Sequence, residues 1–144
     1  MAETHYFQLQ SQLIDQVEGD GNLTLTTGKI EYGVPPQFGG NAGKTSPEEL
    51  ILAAISSCFS MTLGFVLEKR KVPARVLGMQ AEATVQRIER QLVLTAITLR
   101  PQITTDTDAR QDIDAAIERA EQACLISNAI RGNVELKVEA QITD

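Results

Sequence analysis

The stretch Lys44–Lys71, KTSPEELILAAISSCFSMTLGFVLEKRK, constrains the fold more than any other part of the chain. It opens with a full helix-start signal: Ser46 as N-cap, Pro47 at N1 where a missing N–H costs nothing, and Glu49 at N3 to close a capping box. Glu48 and Glu49 put negative charge on the positive end of the helix dipole, and Lys69, Arg70 and Lys71 put cations on the other end. Between them, Leu50 to Leu67 is almost wholly apolar, and Pro73 stops the pattern. A helix over 47–71 with apolar residues on nearly every face needs cover on every face, from its own chain or from a partner. Cys58, one of two cysteines in the chain, sits in its middle.

Ahead of this helix the pattern is one of strands. Residues 5–13 alternate, with Phe7, Leu9, Ser11 and Leu13 on one face and Gln8, Gln10 and Gln12 on the other, which predicts a half-buried strand. A turn cluster around Gly19-Asp20-Gly21 leads to a second strand at Leu23–Thr26, and Lys29–Tyr32 makes a third. Gly33–Gly43, GVPPQFGGNAG, is a loop rich in glycine and proline. Most such loops only connect, although one just ahead of a helix start is also a reasonable place for a site. After the helix, Arg75–Ile88 and Gln91–Ile103 alternate as two long strands of a hairpin. Thr105–Asp108 caps a second helix, with Ile113, Ala116, Ile117, Ala120 and Ala123 or Cys124 at helical spacing. Ser127–Asn133 breaks that pattern, and Val134–Ile142 alternates as a last strand. The order βββ-α-ββ-α-β, with strands in runs, predicts an α+β fold of antiparallel sheets in a single domain, 1–144. One small sheet cannot cover the 47–71 helix, so two copies are expected to pack their central helices together inside sheets from both chains.

Charge and cysteine usage narrow the function. A formal charge of −6 and a pI near 4.8 argue against a nucleic-acid partner, which needs clustered Lys and Arg. The N-terminus MAETHYFQLQ has neither the basic nor the apolar region of a secretory signal. Ser56, Ser57, Ser60 and Thr62 interrupt the apolar run, which therefore reads as a core helix rather than a membrane span. A cytoplasmic location without a membrane partner is expected. In that compartment two cysteines are a poor structural staple. His5 reads as solvated, and no cluster of metal ligands or cofactor motif stands out. Taken singly, Cys58 and Cys124 each read as a small buried hydrophobe.

The sequence around the two cysteines changes that balance. SPEELILAAISSCFSMTL, with a Pro-Glu pair ten residues ahead of Cys58, resembles the first signature of the osmotically inducible protein C / organic hydroperoxide resistance family of thiol peroxidases. CLISNAIRGN, Cys124 to Asn133, is similar to the second. The resemblance spans nearly the whole chain and implies an intertwined homodimer. It also implies a reactive Cys58, a resolving Cys124, an organic hydroperoxide as substrate, and an external dithiol as reductant, in this family often a lipoylated protein. The attack on peroxide would leave Cys58 as sulfenic acid, which condenses with Cys124 to a disulfide.

The family stabilises its thiolate with an arginine oriented by the carboxylate that matches Glu48. Here the chain departs from the pattern: the first arginine is Arg70, and Gln37 stands before Phe38 where one branch of the family has it. Glutamine donates hydrogen bonds but carries no charge; Lys44, Arg131 or a partner-chain residue are the candidate replacements. Glu48 is otherwise a first-turn carboxylate serving the dipole. Ten residues of helix span about 15 Å, so Glu48 would reach the Cys58 of a second copy across an antiparallel helix pair. Gln37, Phe38 and Phe59 are the expected substrate contacts, with Met61 and Phe65 as further apolar walls, although Phe38, Phe59, Met61 and Phe65 each read more readily as plain core. Two alternatives stay open: a non-catalytic protein binding a small lipid-like ligand in the dimer pocket, and a thiol-based stress sensor.

Overall fold

Asp15 closes the first turn of the chain with its own side chain: Oδ1 accepts from Val17 N at 2.9 Å and Glu18 N at 3.0 Å. Gly19 follows at φ 80°, a left-handed conformation that glycine adopts without penalty. The computed structural model describes residues 2–144 and resolves two compact units, one up to Leu50 and one over Ile51–Asp144. The first is the expected meander of β1 (Gln10–Asp15), β2 (Asp20–Leu25) and β3 (Gly28–Tyr32), antiparallel in the order β1-β2-β3. The half-buried strand predicted over 5–13 is corrected in two respects. It starts at Gln10, and β1 is exposed along its whole length, with Phe7 ahead of it 92% exposed. Alternation gave the strand its two faces, but among the described residues of this unit nothing covers the apolar one.

The glycine-rich loop contains a single 3-10 turn, Pro36–Phe38. It folds back tightly enough that a Cβ on Gly40 would lie 1.7 Å from the Val34 carbonyl oxygen, so only glycine fits there. The loop then returns to β3: Thr45 N donates to Glu31 O at 2.9 Å and Gly33 N to Thr45 O at 3.0 Å. This fixes the start of α1 (Pro47–Lys69), where Ser46 Oγ accepts from Glu49 N at 3.1 Å as the cap residue predicts.

In the second unit, α1 buries Ile55, Phe59, Leu63, Val66 and Leu67, one stripe at helical spacing. Burial of each large apolar side chain contributes about 1.5–3 kcal/mol. The stripe shares its core with Ile97, Leu99 and Ile103 and with Ile113, Ala116, Ile117 and Ala120. The first three lie on β5 (Gln91–Thr104), antiparallel to β4 (Arg75–Ile88); the others are the apolar face of α2 (Arg110–Ala123). The helix stops at Lys69, two residues short of the prediction, because Lys71 turns left-handed at φ 56° and Val72 N donates back to Leu67 O at 3.0 Å. Opposite the stripe, Met61 is 70% and Phe65 64% exposed, beside an open groove of about 490 Å³ shared with Leu77 of β4.

Two further expectations are corrected at the C-terminal end. Ser127–Asn133 is not a simple break, since a short helix α3 (Leu125–Ile130) follows α2 directly. The last strand divides into β6 (Glu135–Val138) and β7 (Gln141–Thr143), both parallel to β5 rather than antiparallel. Period-two alternation identifies a strand but not its direction; the crossover through α2 and α3 makes the pairing parallel. The division falls opposite Pro101, which has no N–H to give a ladder, and the register on β5 is the same on either side of it.

Candidate active-site thiol pair

Cys58 sits on α1 at the flank of the buried stripe, one residue before Phe59, and is partly buried against the core. One turn on, Thr62 Oγ1 donates to the Cys58 carbonyl at 2.8 Å. Cys124 lies at the junction of α2 and α3. Its N–H completes α2 by donating to Ala120 O at 2.8 Å, and its backbone is extended at φ −71°, ψ 119°. That geometry makes it the N-cap of α3, where its sulfur accepts from Ser127 N at 3.5 Å. The junction thus turns the Cys124 side chain, 0% exposed, toward α1, and the Cys124 thiol donates to the Cys58 sulfur across 3.2 Å. The two sulfurs, 66 positions apart in sequence, are close enough to bond, a disulfide being about 2.05 Å long.

The Cys58 thiol is shifted below its ordinary range. Desolvation is the largest influence and pushes it up, but the Ile126 amide, the Cys124 thiol, the Leu125 amide and the Thr62 hydroxyl together outweigh it. These donors are neutral; sequence reading looked for a cation and missed them, because it read the α3 region as a break. Cys58 therefore contributes stability that is full above the pKa of the unfolded thiol and declines as pH falls through the lowered folded value. Alkylation of Cys58 by iodoacetamide should show its half-maximal rate at a pH below that of a free thiol. Leu125→Pro removes one donor at N1 of α3, where proline is tolerated and the extended Cys124 suits a following proline. The midpoint of alkylation should then move up toward the ordinary thiol; an unmoved midpoint would show that this amide contributes nothing.

The other residues singled out in the sequence are placed as follows. Phe59 is wholly buried, a core side chain. Met61 and Phe65, which read more readily as core, are instead exposed. Gln37 is exposed in the 3-10 turn, and Phe38, partly exposed, lines a pocket of about 220 Å³ with Val17, Val34 and Asn41. Glu48 is half-buried in the first turn of α1, and its Oε2 is buried with no hydrogen-bond partner among the described residues. Neither candidate cation is idle. Lys44 pairs with Asp20 at 2.7 Å, which raises its pKa. Arg131 binds Asn128 Oδ1 and donates to Glu121 O at 2.7 Å, tying α3 to the end of α2.

The two cysteines thus meet between the core-facing side of α1 and the α2–α3 junction, on an α+β frame with a long hairpin. The family model for OsmC-like protein matches residues 39–139, taking in both cysteines, and the chain belongs to that family. YmaD of Bacillus subtilis is 30% identical over 96% of this chain and 95% of its own. Peroxiredoxin OsmC of Escherichia coli is 26% identical over 85% and 87%. Among solved structures, an organic hydroperoxide resistance protein from Elizabethkingia anophelis superposes with a TM-score of 0.76 at 26% identity, covering 98% of this chain and 100% of that one. The OsmC protein of Legionella pneumophila reaches a TM-score of 0.78 at 24% identity, over 96% and 99%, and supports the fold.

Proposed function

We infer that the chain is a thiol peroxidase for organic hydroperoxides, acting in oxidative-stress defence in the cytoplasm. The observation that carries this reading is the 3.2 Å approach of Cys58 and Cys124. The Cys58 thiolate attacks the distal peroxide oxygen; the O–O bond breaks and the alcohol leaves with a proton, giving a sulfenic acid. Cys124 then attacks the Cys58 sulfur, water departs, and the disulfide forms. An external dithiol returns both thiols. Relatives named for peroxiredoxin activity and organic hydroperoxide resistance support the assignment. The neutral donors around Cys58 take the part that an arginine has elsewhere in the family. One equivalent of cumene hydroperoxide should consume both free thiols; retention of both would favour the lipid-binding alternative.

The working unit in this proposal is a homodimer, in which Glu48 of one copy serves the Cys58 of the other and Gln37 and Phe38 contact substrate. The unpartnered Glu48 Oε2 supports a donor arriving from outside the single chain. Glu48→Gln should slow peroxide reduction while leaving the dimer folded. If Glu48 serves only the helix dipole, the substitution costs roughly 0.3–1 kcal/mol of stability and turnover is unchanged. Thermal midpoint and turnover, measured together, separate the two.

A further inference from the structure

The last carbonyls of a helix have no partner inside it, and in α2 three of them are closed one after another. Ala120 O accepts from Cys124 N at 2.8 Å, Glu121 O from Arg131 Nη2 at 2.7 Å, and Gln122 O from Asn128 Nδ2 at 3.2 Å. The other guanidinium nitrogen, Nη1, donates to Asn128 Oδ1, so Arg131 and Asn128 form one forked bridge to the end of α2. α2 has no basic residue in its own last turn, and Arg131 supplies the cation that this end of the dipole favours. Arg131 is also the C-cap of α3, so the bridge reaches from the far end of α3 back to α2. No linker separates the two helices: Cys124 alone, in extended conformation, is the joint. A joint of one residue leaves the angle between its helices to whatever ties them elsewhere. Ile126 and Ile130 seat α3 on the core, and the bridge fixes its tilt.

We propose that Arg131, together with Asn128, is a positioning residue of the thiol pair: its bridge holds the α2–α3 joint at the angle that sets the Cys124 sulfur 3.2 Å from the Cys58 sulfur. The inference rests on the redox reading above and names what aligns its resolving step. In that step the Cys124 thiol gives up its proton and its sulfur attacks the sulfenic sulfur of Cys58. The S–S bond forms as the S–O bond breaks, and the departing hydroxide takes that proton and leaves as water. Such a displacement needs the attacking sulfur in line with the breaking bond, and a misplacement of about 1 Å can cost about 100-fold. The joint also carries the Leu125 and Ile126 amides that donate to the Cys58 sulfur, so a tilted α3 loosens those donors as well. Arg131 therefore serves the site through the geometry it imposes on α2 and α3, its guanidinium being directed at α2 and not at the thiolate.

The test uses the full-length protein, Arg131→Lys, which keeps the charge without the fork, and Asn128→Ala, which opens the bridge with no change of charge. Both positions are exposed. Each protein is equilibrated in glutathione buffers of graded oxidised-to-reduced ratio, so that the Cys58–Cys124 disulfide forms without peroxide, and its fraction is read by intact mass. Both variants should need a ratio about tenfold more oxidising than the wild type for half formation. The pH midpoint of Cys58 alkylation, followed on its own peptide, should move up in both. A wild-type ratio in either variant would overturn the proposal; in Arg131→Lys it would show that charge alone suffices. A lowered thermal midpoint with both thiol readouts unmoved would overturn it too, since that is the signature of a merely structural bond. A wild-type chain that forms no disulfide at any ratio would leave nothing to position and end the proposal. A chain that forms the disulfide in glutathione but ignores organic hydroperoxide would refute the peroxidase reading, while the bridge would still stand or fall on the comparison of the three proteins.

Discussion

Cys58→Ser should abolish catalysed consumption of cumene hydroperoxide, leaving only the uncatalysed background, because a serine hydroxyl offers no thiolate to the O–O bond. Cys124→Ser should fail differently. Its Cys58 keeps most of its environment, including the Leu125 and Ile126 amides and the Thr62 hydroxyl, and so reacts once. With no thiol 3.2 Å away to condense with, it stops at sulfenic acid and proceeds under excess peroxide to sulfinic acid. The asymmetry carries the argument, since an unreactive pair of buried cysteines would oxidise slowly and alike in both variants. Cys124→Ser also loses the sulfur that donates to Cys58, so its first turnover should be slower than that of the wild type.

The second large effect concerns assembly. Met61 and Phe65 of α1 are exposed apolar side chains, with Leu77 exposed beside them. By length and composition α1 is also apolar enough to cross a membrane, but its Ile55–Leu67 stripe is seated in the protein core, which leaves the opposite face to be covered. A second copy packing the same face is the cover proposed above. Sedimentation at micromolar concentration should give a species of twice 15.7 kDa. Phe65→Lys should shift it toward monomer, the loss of about 1.5–3 kcal/mol of apolar burial per copy weakening association by tenfold or more. A wild-type chain that sediments only as a compact monomer would contradict this and would remove the shared role for Glu48.

The parts of the fold that sequence reveals are those whose signals are local. The Ser46-Pro47-Glu49 start of α1, the meander turns at Gly19 and Gly28, and the alternation of β4 and β5 each encode their own geometry within a few residues. The parallel pairing of β6 and β7 depends on a crossover, and its interruption depends on Pro101 two elements earlier, so neither has a local sign. The site divides in the same way. Cys58 and Cys124 were legible because short motifs surround them, whereas their 3.2 Å approach is a product of the α2–α3 junction. Thr62, Leu125, Ile126 and Ser127 were not legible as site residues. Three of them act through backbone amides, which any side chain could supply. The helical reach of α3 was hidden by Ser, Asn and Gly residues that more often mark a turn.

The central claim is that Cys58 and Cys124 are one redox unit, and the intact mass of the wild-type protein tests it most directly. After one equivalent of cumene hydroperoxide, the account predicts a product lighter by about 2 Da, the two hydrogens lost on disulfide formation. Proteolysis without reductant should then yield a single linked pair of peptides containing Cys58 and Cys124, and dithiothreitol should restore the starting mass. An unchanged mass, or a protein that only gains oxygen while both cysteine peptides stay separate, would contradict it.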